Sequence, residues 1–337
     1  MKYRKYLEPV YGEAAPCVRI NQPQIMDMDD PAGWRNKANE EGFAAETEAM
    51  KQCVCYPGMM RVHTEDLVIR QNGHEVPVRI YRKGMKGKAP LVVFFHGGSY
   101  SMNNLDVYDY VCRYLAYSGG LTVLSVQYGL APEHKFPEGL EDAYEATVWA
   151  AAHGEEFGGD TGLLYVCGDS SGGNFAAAVA MMARDRKGPQ IRGQALIYPV
   201  TTNYSEERTQ SEIRYGKGYF LEYDSTEKPS AFPWYFRNPE DVKNPYASPL
   251  LAEDLRDLPP ACFIAAECDP LLDQGLMYAA RMEDAGVKVE YHLYRGMIHA
   301  FLNENYEKTF DALDKIAEFV NKKKKKTAGT EDGITEE

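Results

Sequence analysis

No apolar run in this 337-residue chain approaches the roughly 20 residues that a membrane-spanning helix needs, so no such helix is expected. The opening residues, Met1-Lys2-Tyr3-Arg4-Lys5-Tyr6-Leu7-Glu8-Pro9, carry charge but lack the apolar stretch of a secretory signal. Positive charge is in deficit: 37 Lys and Arg stand against 50 Asp and Glu, a formal net charge of −13. Nucleic acid, whose phosphates need cationic partners, is therefore not an expected partner. Cysteine is scarce and scattered, 7 in all. Cys53-Val54-Cys55 is the one close pair, and no second pair or histidine cluster completes a zinc site. Reduced thiols in a cytoplasmic protein, without metal or cofactor, are the expectation. No internal repeat is visible.

Against these absences stands one dense motif, Gly168-Asp169-Ser170-Ser171-Gly172. It follows the apolar run 163–167 and precedes an alanine-rich segment that reads as a buried helix. A strand, a tight turn and a helix hold a serine on a sharp elbow, and side chains at the flanking positions would collide with the neighbouring strand and helix. The helix N-terminus also points N–H groups toward the serine, where negative charge would develop. Taken alone the pentapeptide is weak, because Gly and Ser are common in loops.

Its surroundings strengthen it. Leu91-Val92-Val93-Phe94-Phe95 ends in His96-Gly97-Gly98-Ser99, and 261–266 ends in Glu267-Cys268-Asp269-Pro270-Leu271. The alternating run 287–294 leads into Arg295-Gly296-Met297-Ile298-His299. A glycine loop, a serine, an acid and a histidine thus each sit just past a strand end. Strands are expected at 91–95, 121–126, 163–167, 193–198, 261–266 and 287–294. Helices are expected near 105–117, 139–152, 172–186, 271–285 and 306–322. This alternation predicts an α/β protein with a mostly parallel sheet covered on both faces, whose ligands bind at the carboxyl ends of the strands. Before it, Asn72-Gly73 between two apolar runs predicts a hairpin, and Asp30-Pro31 predicts a helix start running toward Lys51.

Three further segments complete the organisation. Residues 1–60 are irregular and read as an N-terminal cap segment to a catalytic domain at 61–321. The stretch 200–246 breaks the alternation and is rich in aromatics, which suits either a cap insertion or packing of a small subdomain. Residues 322–337, five lysines followed by acidic residues, read as a solvated, disordered tail.

With these residues in place, the chain resembles the hormone-sensitive-lipase-like carboxylesterases of the α/β-hydrolase fold. The resemblance runs from about residue 60 to 320. It is carried by His96-Gly97-Gly98, the 128–137 stretch beginning Tyr128-Gly129-Leu130-Ala131-Pro132, Gly168-Asp169-Ser170-Ser171-Gly172-Gly173, Asp269-Pro270-Leu271 and His299-Ala300-Phe301. The order Ser, Asp, His along the chain is that of this superfamily. The resemblance implies Ser170 as nucleophile, His299 as base and Asp269 as the acid that orients the imidazole. A histidine suits the middle role because its ordinary pKa lets it take and return a proton near neutrality. Backbone N–H groups of Gly97, Gly98 and Ser171 are the expected oxyanion donors. Ser99, Tyr100, Phe220 and Trp234 are the expected lining of the substrate pocket. Two positions depart from the family pattern: Ser99 replaces a third glycine, and Gly129 replaces an arginine.

Other residues compete for these roles. Asp273 lies four past Asp269 but inside the expected helix. His292 sits within an alternating strand and reads as structural, and His96 and His134 read as binding loop backbone. Asp169 reads as ordering the cap or elbow. The implied activity is hydrolysis of short-acyl carboxylic esters through an acyl-enzyme, acting on a small-molecule ester. An amidase or formamidase, or a deacetylase of sugar or xenobiotic esters, would use the same machinery. A catalytically silent binding protein is disfavoured because all three triad residues are present. A homo-oligomer is compatible with everything above.

Overall fold

A computed structural model describes residues 29–51, 53, 55–84, 87–217, 221, 223–226, 232–303 and 307–328. Eight strands form one sheet: β1 His63–Gln71, β2 His74–Arg82, β3 Ala89–Phe95, β4 Thr122–Val126, β5 Gly159–Asp169, β6 Gly193–Ile197, β7 Ala261–Cys268 and β8 Val289–Ile298. Their order is β1-β2-β4-β3-β5-β6-β7-β8. β1 and β2 pair antiparallel, as do β2 and β4, and every other pair is parallel. The hairpin turns at Asn72 and Gly73, whose φ values of 51° and 86° are the paired positive angles of a type I′ turn.

Strict alternation explains how the sheet carries two cores. Along β3, Leu91, Val93 and Phe95 face one layer while Val92 and Phe94 face the other, and all five are buried. The first layer is covered by α4 (Glu138–His153), α5 (Ser171–Asp185) and α7 (Leu272–Asp284). The second is covered by α3 (Asp109–Gly119) and α8 (Glu307–Ala328). On α8, Ala312, Leu313, Ile316, Phe319 and Val320 make the helical stripe that meets the sheet. α5 is buried from Ser171 through Ala183, and its alanines allow close approach to the strands.

Several boundaries differ from the sequence reading. β5 begins at Gly159, four residues early, because Gly159 and Asp160 pair with Ala89 and Pro90 before a register shift. Polar and glycine residues there hide the strand from an apolar-run criterion. β8 continues to Ile298 through an irregularity opposite Ala266 and Cys268, where Gly296 has a φ of 74° and donates its N–H to buried Glu267 at 2.8 Å. The disordered tail expected from residue 322 is corrected in part: α8 runs through the five lysines to Ala328. The rest of that segment lies outside the described residues. Cys268 is disulfide-bonded, which corrects the expectation of uniformly reduced thiols; Cys53, Cys55, Cys112, Cys167 and Cys262 are free.

The N-terminal helix, α1, spans Pro31–Lys51. Asp30 caps it, its Oδ1 accepting the Gly33 N–H at 3.0 Å. The short α2 spans Tyr56–Met59. In the 200–246 stretch the described residues hold α6 (Gln210–Tyr215) and a 3₁₀ turn at Pro239–Lys243. Tyr223, Phe232, Tyr235 and Phe236 of this stretch are buried in the first core. Among the described residues no helix is long and apolar enough to cross a membrane.

Candidate active site

Ser170 sits between the end of β5 and the start of α5 with φ 55° and ψ −120°, a conformation that side-chain-bearing residues rarely adopt. Its neighbours enforce it. A Cβ on Gly172 would fall onto the Phe95 carbonyl oxygen and within 2.5 Å of the His96 oxygen. A Cβ on Gly168 would lie 2.7 Å from the Phe95 oxygen, and one on Gly173 2.9 Å from the Pro199 Cβ. The Ser170 N–H donates to the Ile197 carbonyl at 2.9 Å, and its own carbonyl accepts from Asn174 and Val200, both at 3.1 Å. The glycines therefore let β3, β5 and α5 close on one another while the serine backbone is fixed from three sides.

Two other strand ends bring the acid and the base to it. Asp269 follows β7 and His299 follows β8, and both side chains are buried. Ser170 Oγ lies 2.9 Å from His299 Nε2, and His299 Nδ1 lies 2.7 Å from Asp269 Oδ2. A carboxylate only accepts, so Nδ1–H donates to Asp269 and leaves Nε2 to accept from the serine hydroxyl. The second carboxylate oxygen accepts the Leu271 N–H at 2.8 Å, which fixes the acid. The imidazole packs against Tyr198, ring centroids 4.9 Å apart.

The competing residues are elsewhere. Asp273 accepts the Ser211 N–H at 2.9 Å from within α7. His292 lies on β8, where burial lowers its pKa. His96 is fully buried, Nδ1 2.8 Å from the Gly97 carbonyl and ring stacked on Tyr128, and burial holds its pKa down at about 4. It is thus neutral and structural. His134 pairs with Glu138 at 3.1 Å rather than with loop backbone.

Gly97 does not fit its expected place among the oxyanion donors. Its N–H is turned away and donates to Asp169 Oδ1 at 2.8 Å. By contrast, the N–H groups of Gly98, Ser99 and Ser171 have no acceptor among the described residues. The peptide after Gly98 is rotated by a Gly98 φ of 124° and a Ser99 φ of 52°. Peptide orientation of this kind is invisible in a one-letter string.

Tyr100 is also corrected. Rather than lining a pocket it is buried, stacked on Tyr235 with centroids 3.8 Å apart and edge-on to Phe232. It belongs to the core that joins the 200–246 stretch to the body. Trp234 is partly buried, and its indole N–H donates to the Ser99 carbonyl at 3.0 Å. Phe220 lies outside the described residues.

Asp169 does more than its position in the motif suggested. It is buried and accepts from both Gly97 N–H and the Tyr108 hydroxyl, each at 2.8 Å. Burial pushes its pKa up to about 6, against the lowering effect of those hydrogen bonds. No sequence signal marked Tyr108. Among the described residues no group of three or more His, Cys, Asp or Glu is placed to hold a metal.

A hydrogen-bonded Ser–His–Asp line at the carboxyl ends of a mostly parallel sheet, with the serine on a strained strand–helix elbow, defines the serine-hydrolase class of α/β proteins. Comparison with known proteins agrees. The family described as alpha/beta hydrolase fold matches residues 92–303. An arylesterase of Saccharolobus solfataricus is 39% identical over 239 residues, covering 71% of this chain and 77% of its own. An ethyl acetate hydrolase of Pseudomonas putida is 38% identical over 240 residues, covering 69% and 73%. A solved esterase structure from Pyrobaculum calidifontis superposes with a TM-score of 0.77 at 36% identity, covering 89% of this chain and 94% of the other. The chain belongs to the α/β-hydrolase fold family. It is a carboxylic ester hydrolase.

Proposed function

We propose that Ser170 is the nucleophile, His299 the general base and acid, and Asp269 the residue that orients the imidazole. The observation that carries this is the unbroken Ser170–His299–Asp269 line at 2.9 and 2.7 Å. Ser170 Oγ attacks the acyl carbonyl carbon as its proton passes to Nε2. The resulting oxyanion takes hydrogen bonds from the unengaged N–H groups of Gly98, Ser99 and Ser171. Each such donor is typically worth about 10²–10³ in rate. Collapse expels the alcohol, which leaves with the proton from Nε2, and an acyl-serine remains. Water then attacks the acyl carbon, losing a proton to Nε2. The second collapse returns that proton to Ser170 and releases the carboxylic acid.

The substrates are small esters with acyl groups of acetyl to butyryl size. The P. putida relative, named for ethyl acetate, supports this size class. α1 and the 200–246 stretch act as the cap over the strand ends, a role supported by the Trp234–Ser99 hydrogen bond. A panel of p-nitrophenyl esters from acetyl to decanoyl tests the reading. kcat/KM peaks at four carbons or fewer and falls beyond hexanoyl; a maximum at decanoyl overturns the size assignment. A serine-directed phosphonate should label Ser170, and an adduct mapped to Ser171 would move the nucleophile.

A further inference from the structure

The loop that carries two of the three oxyanion donors is strained. Ser99, Tyr100 and Asn103 have φ values of 52°, 63° and 74°. Such conformations are unfavourable for residues with side chains and persist only when the surroundings hold them. Some restraints come from the catalytic body: Asp169 on Gly97, Ser171 Oγ accepting the Tyr100 N–H at 3.2 Å, and Ala131 N–H on the Tyr100 carbonyl at 2.9 Å. Two others come from α1, which lies before the residues matched by the family. Arg35 Nε donates to the Ser101 carbonyl at 2.6 Å, and Asn39 Oδ1 accepts the Asn103 N–H at 3.0 Å.

Arg35 is held for this task. Its Nη2 donates to the Ala131 carbonyl at 2.9 Å, and its fork grips Glu133 at 2.7 and 3.1 Å. The guanidinium thus spans the oxyanion loop and the 131–133 segment that also bonds to it, using four of its five N–H donors. Its side chain is 14% exposed and Asn39 is 8% exposed. A lysine could supply charge to Glu133 but not the fork that reaches both carbonyls. Arg35 and Glu133 also line an open cavity of about 580 Å³, so small solutes can reach this junction.

We infer that Arg35 and Asn39 form a latch by which the N-terminal helix holds the oxyanion loop in its productive shape, making Arg35 a positioning residue for ester hydrolysis. The inference rests on the proposed oxyanion role of Gly98 and Ser99. Releasing the latch lets the loop relax, so N–H groups aimed at the transition state drift while ground-state binding of a small ester changes little. The effect therefore falls on kcat rather than KM.

The experiment compares Arg35→Ala, Arg35→Lys and Asn39→Ala with the full-length enzyme on p-nitrophenyl acetate. Arg35→Ala lowers kcat about 10–100-fold with KM within about threefold, a part of the loss seen when an oxyanion donor is removed. Methylguanidinium at non-denaturing concentration restores at least fivefold, methylammonium does not, and Arg35→Lys stays low. Asn39→Ala lowers kcat in the same sense and keeps the test open if Arg35→Ala does not fold. An unchanged kcat in the variants, a loss confined to KM, or a loss that tracks reduced thermal stability without guanidinium rescue overturns the latch. Failure of the underlying reading is distinguishable. If Ser170 is not the nucleophile, Ser170→Ala of the otherwise unaltered enzyme retains activity. If this loop does not hold the oxyanion, Arg35→Ala slows an ester and its thionoester, whose sulfur is the poorer acceptor, in equal proportion.

Discussion

The nucleophile elbow and the oxyanion loop face each other across the site, and both contain residues at positive φ. They are held in different ways. The elbow is held by close packing within a short span: Gly168, Gly172 and Gly173 let β3 and α5 close on Ser170. The oxyanion loop is packed closely as well, at Gly97, Gly98 and Tyr100, but its carbonyls also take hydrogen bonds from distant parts of the chain, Arg35 on Ser101 and Trp234 on Ser99. Close packing at the elbow cannot be relieved without moving β3 or α5. The long-range hydrogen bonds to the loop carbonyls can be removed one at a time. Damage at the elbow should therefore be close to all-or-none and damage to the long-range loop restraints graded.

The largest effect expected is chemical. Ser170→Ala leaves the elbow geometry intact yet removes the attacking oxygen, and loss of the nucleophile in a triad costs on the order of 10⁴–10⁶ in kcat. Hydrolysis of p-nitrophenyl acetate by the folded variant, followed with circular dichroism alongside, measures it. Retention of more than a hundredth of the activity would break the assignment of the elbow as the reacting centre. Gly172→Ala comes next. Its methyl group overlaps the Phe95 carbonyl, so β3 and α5 must separate. The expected outcome is a drop of several kcal/mol in unfolding free energy and loss of activity together, read by urea denaturation. A stable but inactive Gly172→Ala protein would show that the elbow is not held by packing.

How much of this was legible in the sequence follows the same division. Ser170, Asp269 and His299 were readable because each sits just past an apolar strand, and the glycines around Ser170 are dictated by local sterics. The hairpin at Asn72-Gly73 and the start of α1 at Asp30-Pro31 were readable for the same reason: the residue type decides the backbone within a few positions. The orientation of the Gly97 peptide was not readable, because it depends on Asp169, 72 residues away. Tyr100 was misplaced because nothing near it in sequence announces that Tyr235 stacks on it and Phe175 packs beside it. Arg35 and Asn39 belong to no motif, and only the fold sets them against residues 101 and 103. The lysine run at 322–326 read as solvated tail because charge pattern says nothing of a helix already propagating from the core face of α8.

Asp169 joins the two regions, and its titration offers an intermediate effect. The folded carboxyl titrates at about 6 because it is buried, while an unfolded aspartate titrates near 3.9. The folded state holds this proton more tightly. Its contribution to stability is therefore greatest below pH 4, declines as the pH rises from about 4 to about 6, and is constant above. A shift of two units corresponds to roughly 3 kcal/mol. Asp169→Asn cannot ionise, and its amide oxygen can still accept the Gly97 N–H. Urea midpoints measured from pH 4 to 7 should show the variant gaining on the wild type by about that amount as pH rises. Parallel curves would mean that the carboxylate is stabilised by Gly97 and Tyr108 enough to offset burial.

The smallest effect is expected at Trp234. Its indole N–H makes one neutral hydrogen bond to the Ser99 carbonyl at 3.0 Å, and the tryptophan is only partly buried. The bond steadies the peptide whose neighbouring N–H is proposed to face the oxyanion, but water can reach the carbonyl once the indole is gone. A hydrogen bond of this type is worth about 1 kcal/mol net, or roughly fivefold in rate if all of it is expressed in the transition state. Trp234→Phe keeps a ring beside Phe232, whose centroid lies 5.8 Å away, and deletes the donor with one fused ring of a partly buried side chain. The expected result is a decrease of fivefold or less in kcat on p-nitrophenyl acetate, with KM unchanged and only a small loss of thermal stability from the smaller ring. Because Trp234 and Arg35 hold different carbonyls of one loop, combining Trp234→Phe with Arg35→Ala should cost less than the product of the two separate losses. Full multiplicativity would mean that the two restraints act on independent segments, and that the loop does not move as a unit.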